Sequence, residues 1–154
     1  MVALALNYES AAGYRDRGNG VSLLREIADR EGISEKYLGQ IMIPLKASGL
    51  VTSHRGAHGG YSLARPPESI TVRDVVEAIE GAIAPVPCAD PAAGAGKGEC
   101  ADDSDGAARP TARVATVVWR KLHDDIVASL SSFSLAALAR QARDLGQPAE
   151  NYVI

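Results

Sequence analysis

The sequence has too few cysteines and too little continuous hydrophobicity to be a cross-linked or membrane-spanning protein. Only two of its 154 residues are cysteine, which excludes a framework of several disulfides. No apolar run approaches the roughly 20 residues that a transmembrane helix needs. The first residues also lack the basic start and the cleavage site of a secretory leader. We therefore expect a cytoplasmic protein with reduced thiols.

The small net charge of −3 conceals an uneven distribution along the chain. Residues 71–112 carry a marked excess of acidic side chains, whereas residues 36–67 contain no Asp or Glu. The cations and histidines of this acid-free stretch are Lys36, Lys46, His54, Arg55, His58 and Arg65. Such a stretch suits a polyanionic partner, although solvated cations in a chance gap would give the same pattern.

Two helices separated by a tight turn are predicted in the first half of the chain, after an apolar helix over residues 1–8. Ser22 is expected to cap a helix that runs to about residue 31, where Gly32 stops it. Ser34 is expected to cap the next helix, which runs to about residue 48. Pro44 lies inside this helix and predicts a kink or an early end. This spacing is typical of a helix-turn-helix.

Two short strands, 50–53 and 60–64, follow directly and flank a glycine-rich, cationic loop. A β-hairpin after a helix-turn-helix indicates a winged helix. The predicted fold class is therefore mainly α with a small β-hairpin wing, completed by a long C-terminal dimerisation helix.

The second half of the chain is predicted to contain two helices, a loop and a final short helix. Thr71 and Asp74 form a capping-box pattern that opens a helix to about residue 80. A long amphipathic helix over 113–130 cannot bury its apolar stripe alone, so it either folds back or pairs with a second chain. Ser134 is expected to cap the last helix. We divide the chain into a winged-helix domain (1–80), a loop that contains both cysteines (81–112) and a long helix with a short C-terminal helix (113–145).

Several segments together resemble the IscR/NsrR/CymR family of bacterial winged-helix transcription regulators. The most specific is Arg55-Gly-Ala-His-Gly-Gly-Tyr-Ser-Leu-Ala-Arg at the wing. It is supported by Val21-Ser-Leu-Leu-Arg-Glu-Ile-Ala and Gly32-Ile-Ser-Glu-Lys-Tyr-Leu, and later by Ile70-Thr-Val-Arg-Asp-Val-Val. The resemblance implies a homodimer that binds a palindromic, double-stranded DNA operator through a DNA-binding domain (1–80). It also implies a sensor loop (81–112) before a dimerisation region (113–145). Our preferred hypothesis is that such a regulator is a repressor.

The predicted DNA-binding residues lie at the start of the second helix of the helix-turn-helix and in the wing. N-terminal positions of a recognition helix reach bases and phosphates, and an Arg in a wing suits the narrow minor groove. Simpler roles remain open, because a serine there also caps the helix, tyrosines also pack, and glycines also build a turn. The candidates are Ser34, Lys36, Tyr37, Gln40, Arg55, His58, Gly59, Gly60 and Tyr61.

Cys88 and Cys100 are the candidate sensor residues, and here the sequence departs from the family. Relatives often hold an iron–sulfur cluster with three cysteines of this loop, whereas this chain has two. Two thiolates do not complete a [2Fe–2S] site, which needs four ligands. A cluster with unusual ligation, a thiol switch and the absence of sensor chemistry therefore all remain open.

The motifs of the chain point to a regulator and not to an enzyme. Gly94-Ala-Gly-Lys97 lacks the spacing of a phosphate-binding loop, and no catalytic constellation is present. The alternative to a DNA-binding regulator is a cluster-free winged-helix interaction or sensor module that does not bind DNA. The acid-free stretch favours the DNA-binding interpretation.

Overall fold

The computed structural model describes residues 1–12, 20–56, 59–83 and 110–146. Within these residues the chain forms six α-helices and one antiparallel β-hairpin. The elements in chain order are α1 (Val2–Ala12), α2 (Leu24–Glu31), α3 (Glu35–Ala47), β1 (Val51–His54), β2 (Gly60–Leu63), α4 (Val72–Glu80), α5 (Pro110–Ser131) and α6 (Leu135–Gly146), with a short 3₁₀ helix at Pro67–Ser69. The predicted winged helix-turn-helix is confirmed.

The turn between α2 and α3 is built by the residues that the sequence indicates. Gly32 adopts a left-handed conformation, with φ of 66°, and its N–H bonds back to the Ala28 carbonyl. The Ser34 hydroxyl accepts a hydrogen bond from the Tyr37 N–H at 3.2 Å, which confirms the predicted cap. The expected early end at Pro44 does not occur, since α3 continues to Ala47. Proline removes a single backbone donor, and the buried residues of the following turn hold the helix on the core.

The prediction that Ser22 caps α2 is wrong. Leu23 occupies the position before the helix and provides no side-chain cap. Ser22 is instead extended and forms a backbone bridge to Tyr61, with N–H···O distances of 2.8 and 2.9 Å in the two directions. The Ser22 hydroxyl accepts a hydrogen bond from the Asn7 side chain at 2.6 Å. This residue therefore extends the wing sheet instead of starting a helix.

One hydrophobic core joins both ends of the described chain. α1 contributes small and branched residues, which confirms the predicted buried first helix. α6 contacts α1 and places its own apolar side against the same core. The core residues are Ala3, Leu4, Ala5, Ile27, Ala28, Leu38, Met42, Leu45, Leu50, Val51, Leu63, Ile70, Leu135 and Ala139.

The start of α4 and the junction between α5 and α6 are held together by backbone hydrogen bonds. The Val72 N–H donates to the Phe133 carbonyl at 2.9 Å, and the Leu135 N–H donates to the Ile70 carbonyl at 2.8 Å. The predicted capping box of α4 is present, and the Ser134 hydroxyl accepts from the Ala137 N–H at 3.2 Å. α5 begins three residues earlier than predicted and therefore takes in the end of the predicted loop.

Candidate nucleic-acid interface

α3 presents one polar face to solvent and buries the opposite face. Lys36 and Gln40 are exposed, one helical turn apart, and Tyr37 keeps 56% of its surface exposed beside them. The inward-facing residues are Leu38, Met42 and Leu45. Four residues were predicted to bind DNA on this helix and its cap. The functional groups of Lys36, Tyr37 and Gln40 are accessible to a partner, whereas the Ser34 hydroxyl is engaged as the cap.

The wing is a two-stranded hairpin in which His54 pairs with Gly60 and Ser53 with Tyr61. Arg55 follows β1 directly and is exposed. Its charge therefore lies in the loop that connects the two strands, where the sequence predicts it. A further predicted wing residue, His58, lies outside the described residues.

Gly59 and Gly60 have a reason within the fold to be glycine. A Cβ at Gly59 would lie 2.5 Å from the His54 carbonyl oxygen, and a Cβ at Gly60 would overlap the Ser22 carbonyl oxygen. Both positions thus require close approach of two backbone segments. Tyr61 is half-buried and packs against the core. These residues therefore shape the wing, which is the simpler role that the sequence analysis left open for them.

Two side-chain hydrogen bonds that the sequence analysis missed fix the hairpin. The Lys46 Nζ donates to the Ser53 hydroxyl at 2.6 Å, which links the last turn of α3 to β1. The His54 Nε2 lies 2.8 Å from the Ser62 hydroxyl across the two strands. No local sequence pattern predicts either contact, because each depends on the register of the hairpin.

The electrostatic character of this surface is set by α3 and the wing together. Lys36 and Arg55 are exposed and form no ion pair with another side chain in the described parts of the sequence. Arg65, by contrast, lies 3.9 Å from the Asp74 carboxylate. The two unpaired cations remain available to a polyanion, whereas Arg65 is partly neutralised within the protein.

α5 carries an exposed apolar stripe near its N-terminal end. Val114, Val117, Val118 and Leu122 are each at least 40% exposed, at spacings that place them on one side of the helix. The Lys121–Asp125 ion pair lies beside this stripe, and Asp125 raises the pKa of the Lys121 ammonium by accepting its hydrogen bond. A single chain leaves this apolar surface in contact with water.

The sensor candidates Cys88 and Cys100 lie outside the described residues. Among the residues that are described, no three His, Cys, Asp or Glu side chains are grouped closely enough to hold a metal ion. In the same residues, no helix has both the length and the apolar character needed to cross a membrane.

A hairpin directly after a helix-turn-helix defines a winged-helix protein with a cationic recognition surface. The family model of Rrf2, described as an iron-dependent transcriptional regulator, matches residues 14–141, and the chain belongs to this family. It is similar to CymR of Bacillus subtilis, an HTH-type transcriptional regulator, with 34% identity over 125 residues that cover 81% of this chain and 77% of CymR.

Two solved structures have the same fold. The structure of CymR, the global cysteine regulator of B. subtilis, has a TM-score of 0.61 and 33% identity, covering 90% of this chain and 91% of that one. The structure of T. potens IscR has a TM-score of 0.63 and 30% identity, covering 98% and 88%. The protein is thus a DNA-binding transcriptional regulator and not an enzyme, and the alternative of a module without DNA is not supported.

Proposed function

We propose that the protein is a homodimeric repressor that binds a palindromic operator with α3 in the major groove and the wing against the minor groove. The observation that carries the proposal is one exposed surface formed by α3 and the wing, in which Glu35 at the start of α3 is followed by no acidic residue up to residue 67. The Lys46–Ser53 hydrogen bond joins the two parts of this surface. A duplex offers two rows of phosphates beside the groove that a helix enters. The exposed cations of this surface are therefore matched to the backbone of DNA.

Individual roles follow from the position of each side chain. Lys36 and Tyr37 contact the phosphate backbone, and Gln40 hydrogen-bonds a base edge, since its amide offers both a donor and an acceptor. Arg55 enters the minor groove, where a narrow groove concentrates negative potential. His58 is proposed to contact the backbone beside it.

The remaining predicted residues act by positioning these side chains. Ser34 holds the start of α3 through its cap. Gly59, Gly60 and Tyr61 hold the wing at the distance from α3 that the two grooves require. Replacing them is expected to weaken DNA binding through the fold of the wing and not through lost contacts.

A salt titration tests the proposal. Each cation that neutralises a phosphate contributes about one unit to the slope of log K against log salt. We expect Lys36→Ala and Arg55→Ala each to reduce this slope by about one between roughly 50 and 200 mM salt. Arg140→Ala, which removes an exposed cation from α6, is the matched control and should leave the slope unchanged. Equal slopes in all four proteins would contradict the assigned surface.

We propose that each region of the chain has its own function. Residues 1–80 bind DNA, residues 81–112 act as the sensor and residues 113–145 form the dimer. The exposed stripe of Val114, Val117, Val118 and Leu122 supports the last assignment. A second copy of α5 is the partner that matches it most simply, because a two-fold axis brings identical apolar surfaces together.

We propose Cys88 and Cys100 as the groups through which the protein responds to redox or iron–sulfur status. The two cysteines supply two of the four ligands that a [2Fe–2S] cluster needs. Absorption and iron content after anaerobic purification separate the cases. A visible band with stoichiometric iron identifies a cluster, whereas loss of two titratable thiols on oxidation identifies a disulfide switch. A protein that gives neither result has no sensor at these cysteines.

A further inference from the structure

The outward stripe of α3 contains an apolar residue where a solvent-exposed helix normally carries a polar one. Lys36, Gly39, Gln40 and Ile43 follow each other at intervals of three, one and three residues, which places them along one side of the helix. A helix lying in the major groove reads base edges with the same spacing. Ile43 is 70% exposed within this stripe.

Gly39 has no reason within the fold to lack a side chain. It is not among the described glycines with positive φ, so it does not need the left-handed freedom of glycine. A Cβ at this position would meet only the Leu24 Cδ2 atom, at an ordinary contact distance of 3.8 Å. Glycine in a helix interior is also less favourable than alanine. The helix gains nothing from this residue, whereas an external molecule gains closer access to its backbone.

Single exposed apolar residues are common on protein surfaces. Ile43 differs from Leu23 or Leu145, which are also exposed, because it lies one turn from Gly39 in the acid-free surface. A partner for this surface must be polyanionic and must also present an apolar group. The major groove of duplex DNA meets both conditions, since each thymine carries a C5-methyl group there. A second copy of the same cationic face would be repelled.

We propose that Gly39 and Ile43 form a thymine-recognition step on α3, in which Gly39 admits the edge of the base pair and Ile43 packs on the thymine methyl. The inference rests on the proposed entry of α3 into the major groove. Ile43 lies three residues beyond Gln40, about 4.5 Å along the helix axis. The thymine is therefore expected next to the base pair that Gln40 contacts, once in each half-site.

Replacement of thymine by deoxyuridine removes only the methyl group and gives a direct test. The full-length protein first selects its preferred duplexes from a pool of random sequence. In a selected duplex, each thymine is then replaced singly, and binding is measured by fluorescence anisotropy. At one thymine per half-site we expect the wild type to bind about fourfold more weakly, the equivalent of one methyl group removed from an apolar contact.

Ile43→Ala lacks the side chain that packs on the thymine methyl group, and the fourfold preference corresponds to this one methyl group. The variant should therefore bind the thymine and deoxyuridine duplexes within about 1.5-fold of each other. The substitution is at an exposed helical position where alanine is favourable, so the fold is retained. Leu145→Ala, a similar truncation of an 83% exposed residue on α6, is the control and should keep the wild-type preference. Gly39→Leu should weaken binding to the selected duplex at least tenfold by filling the space that the base pair occupies.

The outcomes distinguish failure of this inference from failure of the proposed function. If the wild type selects no duplex, both fail. If it selects a duplex but Ile43→Ala responds to every deoxyuridine as the wild type does, only the thymine contact is overturned. The same conclusion follows if Ile43→Ala changes self-association of the DNA-free protein and leaves the deoxyuridine series unchanged, because a second copy then covers Ile43.

Discussion

Lys46 and Ser53 connect α3 with the wing. The Lys46 ammonium, in the last turn of α3, donates to the Ser53 hydroxyl of β1 at 2.6 Å. A charged side chain that would otherwise be free in solvent thereby holds the recognition helix and the wing in one relative position. In the proposed complex with DNA, this contact would help to set the distance between the grooves that α3 and the wing enter.

Ser53→Ala is expected to weaken DNA binding about two- to fivefold, because the wing must then be positioned during binding and an intramolecular hydrogen bond contributes roughly 1 kcal/mol. The thermal midpoint should change little, since the bond is exposed. Fluorescence anisotropy with a selected duplex measures the effect. Thr52→Ala, at the neighbouring exposed position of β1, is the control. A wild-type affinity in Ser53→Ala would show that the contact does not position the wing.

Alanine substitutions at two glycines should change stability in opposite directions. Gly60→Ala forces a Cβ against the Ser22 carbonyl oxygen and should lower the free energy of unfolding by about 1–3 kcal/mol. Gly39→Ala meets only ordinary contact and should raise it by about 0.5–1 kcal/mol. Urea denaturation of both variants measures this. Stabilisation by Gly60→Ala would be incompatible with the close approach of the Gly60 and Ser22 backbones.

Asp74 is expected to stabilise α4 through its capping box. Its carboxylate accepts from the Thr71 N–H at 2.8 Å and from the Thr71 hydroxyl at 2.9 Å. Asp74→Ala should therefore lower the free energy of unfolding by about 1–2 kcal/mol in urea denaturation. Glu80→Ala, at the other end of the same helix, should be neutral or slightly stabilising, because an acid is unfavourable at a helix C-terminus. Equal effects of the two substitutions would contradict the capping role.

The apolar stripe of α5 should control the oligomeric state. Val118→Glu introduces a charge into its centre and is expected to convert a dimer to a monomer in sedimentation velocity. Affinity for a two-half-site duplex should fall with it, because one chain contacts one half-site. Arg120→Gln changes the net charge by the same amount on another side of the helix and should leave the dimer intact. A dimer that survives Val118→Glu would exclude this stripe as the interface.

Local sequence signals predicted the helix-turn-helix and the capping box, whereas contacts between distant segments could not be predicted. Ser34 and Thr71 cap helices within three residues of themselves, so the sequence contains the whole interaction. Ser22 looks equally suitable as a cap, but Tyr61 takes up its backbone groups from 39 residues away. The packing of α6 against α1 could not be predicted either, because the two helices are far apart in the sequence.

The same distinction between local signals and long-range packing applies to the candidate site. The exposure of Lys36, Gln40 and Arg55 could be predicted because charge and position within a helix-turn-helix are readable from the sequence. The contributions of Gly39 and Ile43 could not, since exposure of an isoleucine is decided by which side of α3 meets the core. The predicted end of α3 at about residue 48 is confirmed by its last residue, Ala47, and the early end that Pro44 suggested does not occur because buried Leu45 packs beyond it.

The bridge between Ser22 and Tyr61 has a consequence for the thermodynamics of binding. It ties the part of β2 next to the connecting loop to the segment before α2, so the conformational entropy of that part of the hairpin is already lost when the protein folds. In the proposed complex, association with DNA then has to order Arg55 in the connecting loop but not the strand beside it. A larger part of the contact energy therefore appears as affinity.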